Sequence, residues 1–120
     1  MTAARNSTLG KYGEKVAARE LTALGMTVID RNWRGRNGEI DLVLRDGNIL
    51  VICEVKTRTT PDRGHPLEAV NGKKAARLRR LAAEWMEAHD VRPRDVRIDV
   101  VGVLQPGRGA AQIEHLRGVG

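Results

Sequence analysis

Residues 38–58 read GEIDLVLRDGNILVICEVKTR. Two alternating apolar runs, residues 39–45 and 48–57, flank Asp46-Gly47. An Asp-Gly pair between such runs is a strong hairpin signal. A two-residue loop there makes Arg45 face Asn48, and it then sets Asp41 opposite Ile52, Val43 opposite Leu50 and Glu39 opposite Glu54. Side chains alternate between the two faces of a strand. Glu39, Asp41, Leu50, Ile52, Glu54 and Lys56 therefore share one face. Asp41 and Glu54 become diagonal neighbours, with Cα atoms roughly 7–8 Å apart. Ile40, Leu42, Leu44, Val51, Cys53 and Val55 point the other way, a plain core face. A one-residue slip would put the two carboxylates on opposite faces, so the reading rests on the parity of the hairpin.

Two carboxylates so placed suit a hard cation such as Mg²⁺ or Mn²⁺, which prefers oxygen ligands and completes its shell with water and substrate phosphate. Such an ion can polarise a scissile phosphate and activate water. Lys56 lies two residues beyond Glu54, on the same side, where its charge can orient water or offset charge building on the phosphate. Glu39 has two readings: a third metal ligand, or an ion-pair partner of Arg34 or Arg36, the latter favoured. Glu54 and Lys56 also have an ordinary reading as a solvated pair on an edge strand. Leu50 and Ile52 on the same face weigh against it, because buried charges require partners.

Working outward, residues 10–24 have helical spacing, with Gly25 as a C-terminal stop. The inward stripe is Glu14, Ala17, Ala18, Leu21 and Leu24. An acid on a core-facing stripe can reach the carboxylate site or simply complement the helix dipole. Residues 26–34 read as a strand and 34–38 as a polar turn. Residues 59–66, with Pro61, Gly64 and Pro66, read as a loop. Residues 67–89 are helical, with Gly72 as an interruption. Residues 96–104 form a Val- and Ile-rich strand, and residues 111–116 a weaker one. The order αβββαβ(β) predicts an α/β fold: a central mixed sheet of four to five strands flanked by helices. One domain over residues 1–120 is expected, with a core at about 10–116 and short flexible tails.

The chain has 120 residues and a formal net charge of +6, from 21 Lys and Arg against 15 Asp and Glu. At 41% apolar residues, a disordered or collagen-like chain is excluded. A single cysteine, Cys53, excludes a disulfide scaffold. No run approaches the ~20 apolar residues of a membrane span. The opening MTAARNS has no apolar segment of a secretory signal, so a cytoplasmic, non-membrane protein is expected. His65, His89 and His115 do not have zinc-site spacing.

The charge is localised. Residues 56–80 hold eight basic and two acidic side chains, which accounts for the full +6. Lys73, Arg77 and Arg80 fall on one helical stripe, and Arg58, Arg63 and Lys74 lie beside it in sequence. The stripe reads either as a solvated face or as a surface that tracks phosphates. Tyr12, Trp33 and Trp85 are too few for a base-stacking platform, so recognition of backbone or shape is expected.

Asp41 and the downstream Glu54-Val55-Lys56 resemble the Asp…Glu-x-Lys signature of the PD-(D/E)xK nuclease superfamily, which includes restriction endonucleases and archaeal Holliday-junction resolvases. More closely, the chain resembles the YraN-like family of uncharacterised proteins. The matching segments are Gly10, Gly13, Glu14 and Ala17; Asn32 to Arg34; Gly38 to Leu42; Glu54 to Arg58; and Pro66 to Lys74. They span roughly residues 10–101. The superfamily's Pro before the first Asp is Ile40 here, at a variable position. The resemblance implies a restriction-endonuclease-like fold. It implies Asp41 and Glu54 as metal ligands, Lys56 as the catalytic lysine and Glu14 as a helix-borne acid. The expected function is a Mg²⁺- or Mn²⁺-dependent endonuclease acting on DNA, including branched DNA, in preference to RNA. By analogy with junction resolvases a homodimer is expected. The rival readings are a catalytically silent DNA- or RNA-binding accessory protein of the same fold, and a protein-interaction domain.

Overall fold

The computed structural model describes residues 8–60 and 72–119. The first helix, α1, runs Thr8–Ala23 and buries Gly13, Ala17, Ala18 and Leu21. Its end explains a departure from expectation. Gly25 adopts a φ of +100°, open to glycine at little steric cost. The Met26 amide then donates to Leu21 O at 3.1 Å and the Gly25 amide to Thr22 O at 3.0 Å. These are the two bonds of a Schellman stop. The turn brings Met26 down beside Leu21 in the core and leaves Leu24, expected on the inward stripe, 49% exposed.

Five strands and a second helix follow. They are β1 (Thr27–Gly35), β2 (Gly38–Asp46), β3 (Ile49–Arg58), α2 (Gly72–His89), β4 (Asp95–Leu104) and β5 (Gln112–Leu116). The strands form one mixed sheet in chain order, β1-β2-β3-β4-β5. All neighbours are antiparallel except β3 and β4, which run parallel. A parallel pair needs a long crossover, and the chain through α2 supplies it. This α/β architecture, αβββαββ, is the expected one and agrees with a restriction-endonuclease-like fold. Arg63 and the Pro66–Val70 stretch of the sequence reading lie outside the described residues.

The sheet is buried on both faces. Ile40, Val43, Leu50, Ile52, Ile98 and Val100 pack with Leu78, Leu81, Ala82 and Trp85 of α2. Leu42, Leu44, Val51, Cys53, Val101 and Val103 pack with Ala17, Ala18 and Leu21 of α1. Double-sided burial explains the nearly unbroken apolar runs of β3 and β4. Each fully buried branched side chain contributes about 1.5–3 kcal/mol. The face carrying Leu50 and Ile52 is therefore as much core as its opposite.

The hairpin keeps the expected parity but not the expected register. Asp46 pairs with Ile49, Val43 with Ile52 and Leu42 with Cys53. The loop is Gly47-Asn48, one residue later than Asp46-Gly47. Gly47 has a φ of +63° and Asn48 is not among the positive-φ residues. Positive φ at the first loop residue alone is the II′ hairpin pattern, which calls for Gly at that place. The paired numbers thus move by two. The paired backbone stops at Leu42 and Cys53, and one more step along this register sets Asp41 across from Glu54 rather than from Ile52. Ile40 also departs from expectation. It belongs to the α2-side core with Val43, not with Leu42 and Leu44, so the alternation of β2 breaks between Ile40 and Leu42.

Edges and ends are pinned by polar contacts. The Trp85 indole donates to Asp30 Oδ2 at 2.8 Å, and the His89 ring stacks on Trp85 at 4.1 Å. Glu84 accepts the Arg36 amide at 2.6 Å and also binds the Asn37 side chain. Together they tie α2 to β1 and to the β1–β2 turn.

A candidate metal and phosphate site

Among the described residues three charged residues are buried as a whole, Asp41, Glu54 and Asp99, one on each central strand. Two of them belong to the expected site. Asp41 and Glu54 are each 4% exposed. Glu54 follows Ile52 on a regular strand and so faces α2. Asp41 lies at the break in β2, where the ladder with β3 ends. Its Oδ2 accepts the Val55 amide at 2.9 Å. A side-chain carboxylate thus satisfies an amide just beyond the last paired residues of β2 and β3.

Glu54 meets α2. Lys74 Nζ lies 2.7 Å from Glu54 Oε2, and the Lys74 side chain is only 20% exposed. The helix explains this. Leu78, Leu81 and Trp85 are buried, and Lys74 stands four, seven and eleven residues before them. It is the first member of the core-facing stripe. The sequence reading grouped Lys74 with the phosphate-binding residues, whereas the structure aims it inward at an acid. Lys73, Arg77 and Arg80 are exposed, as expected for an outward stripe. Arg77 also reaches toward β2: a Cβ added at Gly38 would lie 3.7 Å from its Nη1. Arg58, at the end of β3, is half-buried.

Lys56 is half-buried, two residues beyond Glu54 on the α2 side. Glu39 has a side chain 8% exposed and lies 3.9 Å from Arg34, one of the two arginines named as ion-pair partners on sequence grounds. Glu14 is carried by the helix on the other face of the sheet, and its Oε1 accepts from Asn32 Nδ2 at 3.0 Å. Asn32 has a φ of 50°, in the left-handed region that Asn tolerates better than most residues. Thus Asp41, Glu54 and Lys74 gather at the β2–β3 boundary, while Glu14 is held by β1.

The third buried acid, Asp99, belongs to a network that emerges only in three dimensions. Asp99 is fully buried. Arg97 donates to it from Nε at 2.9 Å and Nη2 at 3.1 Å, His115 Nε2 lies at 2.8 Å, and the Gly118 amide donates at 3.1 Å. Arg97 also pairs with Asp46 at 3.1 Å. Burial by itself would push the Asp99 carboxyl up, but hydrogen bonds from Arg97, His115 and Gly118 hold it below the ordinary carboxylate value. Asp99 is thus a structural anion. Cys53 pairs with it in register and is fully buried. Burial, with the nearby charges of Asp99, Asp41 and Glu54, pushes its thiol well up. A thiol so raised is a poor nucleophile.

Among the described residues no three His, Cys, Asp or Glu side chains converge as a metal cage. The donor set on offer is two buried carboxylates. That fits Mg²⁺ or Mn²⁺, which takes one or two carboxylates and fills the remaining positions with water and phosphate. It does not fit a structural zinc ion, which takes four Cys or His ligands. A cleft lined by Arg45, Asn48, Arg92 and Arg94 lies at the hairpin-turn end of the sheet, and neither carboxylate lines it. No described helix is long and apolar enough to cross a membrane.

Comparison with known proteins gives a family and no activity. Residues 13–103 match the model of the uncharacterised protein family UPF0102. A UPF0102 protein of Nocardioides sp. is 54% identical over 118 residues, covering 98% of this chain and 95% of that protein. One of Beutenbergia cavernae is 60% identical, covering 93% and 95%. One of Streptomyces coelicolor is 59% identical, covering 92% and 87%.

Proposed function

This chain belongs to the UPF0102 family, and from its carboxylate site we propose that it is a divalent-cation-dependent phosphodiesterase acting on nucleic acid, DNA before RNA, of the PD-(D/E)xK type. The observation that carries the proposal is the pair of buried acids, Asp41 and Glu54, at the point where β2 and β3 part. Two carboxylates buried together are costly unless cations or hydrogen bonds compensate them. Lys74 and the Val55 amide compensate part of that charge.

In this reading Asp41 and Glu54 would hold Mg²⁺ or Mn²⁺, with Glu39 close by on β2. The ion, when bound, supplies a Lewis acid for the scissile phosphate and activates water. The Asp41 carboxylate is pre-oriented by the Val55 amide. Lys56, two residues past Glu54, offsets charge that builds on the phosphate. Glu14, held by Asn32 on the other face of the sheet, stands apart from this group. Lys73, Arg77 and Arg80, with Arg58, hold the backbone. No base-reading platform accompanies them, so selectivity comes from the form of the nucleic acid and not from its sequence.

The Lys74–Glu54 pair also suits a second reading, a nucleic-acid-binding protein of the same fold without turnover, in which the ion pair is the resting state for good. Cleavage decides between them. Linear duplex, single-stranded and four-way-junction DNA are incubated with Mg²⁺ or Mn²⁺ and either wild type or Glu54→Gln. Metal-dependent cutting by wild type that vanishes in Glu54→Gln is the expected result. No cutting of any substrate by wild type, with salt-sensitive binding intact, leaves the silent reading standing.

A further inference from the structure

We propose that Lys74 is a built-in counter-cation for the carboxylate site: its ammonium occupies Glu54 when no divalent ion is bound and competes with that ion for the carboxylate. The inference rests on the metal-site reading above and adds to it a residue on α2, outside the hairpin that supplies the acids.

Two observations converge on Lys74. The first is the contact, Nζ to Glu54 Oε2 at 2.7 Å, against a side chain that is 5% exposed. The second is aim. Lys74 continues the buried stripe of Leu78, Leu81 and Trp85, so packing of α2 on the sheet sets its direction.

The consequence is a competition of like charges at one carboxylate. A divalent ion bound between Asp41 and Glu54 and the Lys74 ammonium cannot both sit against Glu54 Oε2 without repulsion. Either the ion is excluded or Lys74 turns away. Lys74 enters from the same helix as exposed Lys73 and Arg77, so a displaced ammonium joins the surface that faces phosphate. The site thus stays neutralised when empty and gains a phosphate-binding charge when loaded.

The sign of one measurement tests this. Mn²⁺ affinity is measured by calorimetry on wild type, Lys74→Gln, Lys74→Arg and Glu54→Gln, with folding of each checked by circular dichroism. Lys74→Gln keeps a hydrogen-bond donor for Glu54 and removes the charge. The expected result is Mn²⁺ binding tightened about tenfold in Lys74→Gln, near wild-type binding in Lys74→Arg, and lost binding in Glu54→Gln. Unchanged or weaker Mn²⁺ binding in Lys74→Gln, with Glu54→Gln still abolishing it, overturns the counter-cation role and leaves the metal site intact. Weaker binding there would mark Lys74 as a structural prop for Glu54. Equal Mn²⁺ binding, or none, in wild type and Glu54→Gln overturns the metal-site reading and this inference with it.

Discussion

The Asp41 carboxylate accepts the backbone amide of Val55 at 2.9 Å, beyond the last paired residues of β2 and β3. One side chain therefore has two duties, closing the end of the ladder and supplying an anion. The duties separate by substitution. Asp41→Asn keeps an oxygen acceptor for the Val55 amide and loses the charge. Asp41→Ala strands a part-buried amide, which costs about 1–3 kcal/mol. Urea melts should show Asp41→Ala clearly less stable than Asp41→Asn, while both lose Mn²⁺ binding. Equal stability of the two variants would show that the amide is satisfied in some other way.

Gly13 sits where α1 crosses the end of β3. A Cβ added there would overlap the Thr57 hydroxyl and crowd its methyl and β-carbon. Ala is otherwise the better helix residue by about 1 kcal/mol. Overpacking costs about 1–3 kcal/mol, so the clash wins. Gly13→Ala should lower stability by up to about 2 kcal/mol. Adding Thr57→Ala should recover part of the loss. A stabilised Gly13→Ala would mean that α1 moves away from β3 at little cost.

Asp99 should shape the acid limb of the stability curve. Its folded pKa lies below the ordinary value, held there against burial by Arg97, His115 and Gly118. A depressed carboxylate pKa stabilises the fold in full above the unfolded value of about 3.9. That contribution is lost as pH falls through the lower folded value. Wild type should therefore lose stability steeply below about pH 4, and Asp99→Asn should show a flatter acid limb. At pH 7 Asp99→Asn should be less stable by about 3 kcal/mol, since it breaks a buried ion pair. Parallel acid limbs in the two proteins would remove Asp99 from the account.

Lys73, Arg77 and Arg80 are solvent-exposed on one stripe of α2. Each phosphate contact adds about 0.9 to the slope of log affinity against log salt on duplex DNA. Replacing all three by Ala should reduce that slope by about 2–3 and weaken binding to every sequence alike. An unchanged slope would place the nucleic acid elsewhere, and the arginine-lined cleft of Arg45, Arg92 and Arg94 would be the next face to probe.

The hairpin shows where sequence reasoning stops. Its parity was legible, because alternation in residues 39–45 and 48–57 is a local property of period two. Its register was not. Asp46-Gly47 and Gly47-Asn48 are both acceptable two-residue loops, and the choice moves the pairing by two residues while Val43, Leu50 and Ile52 keep their common face. Ile52 now pairs with Val43, and the ladder ends at Leu42 and Cys53, just short of Asp41 and Glu54. At Ile40 the alternation itself fails: Ile40 joins Val43 in the core under α2 and not Leu42 and Leu44.

Leu24 and Lys74 teach the same lesson on helices. Periodicity placed Leu24 on the buried stripe, but the Schellman stop at Gly25 ended α1 one residue before it and turned Met26 inward instead. Lys74 was one of several basic residues in a charged window. Nothing local separates it from exposed Lys73 next to it. Only the packing of Leu78, Leu81 and Trp85 on the sheet sets the rotation of α2, and that rotation sends one lysine inward and its neighbour out.

From the sequence alone came the element order, the mixed sheet, Asp41 and Glu54 as the candidate acids, and the concentration of charge after β3. These depend on alternation, helical spacing and turn chemistry, which act over a few residues. The tertiary structure decided which acids are buried and what meets them: Lys74 on Glu54, the Val55 amide on Asp41, and Arg97, His115 and Gly118 around Asp99. Most of those partners lie 14 to 20 residues away in the chain. The partner of a buried charge is set by how helices and strands stack, and no local pattern encodes that choice.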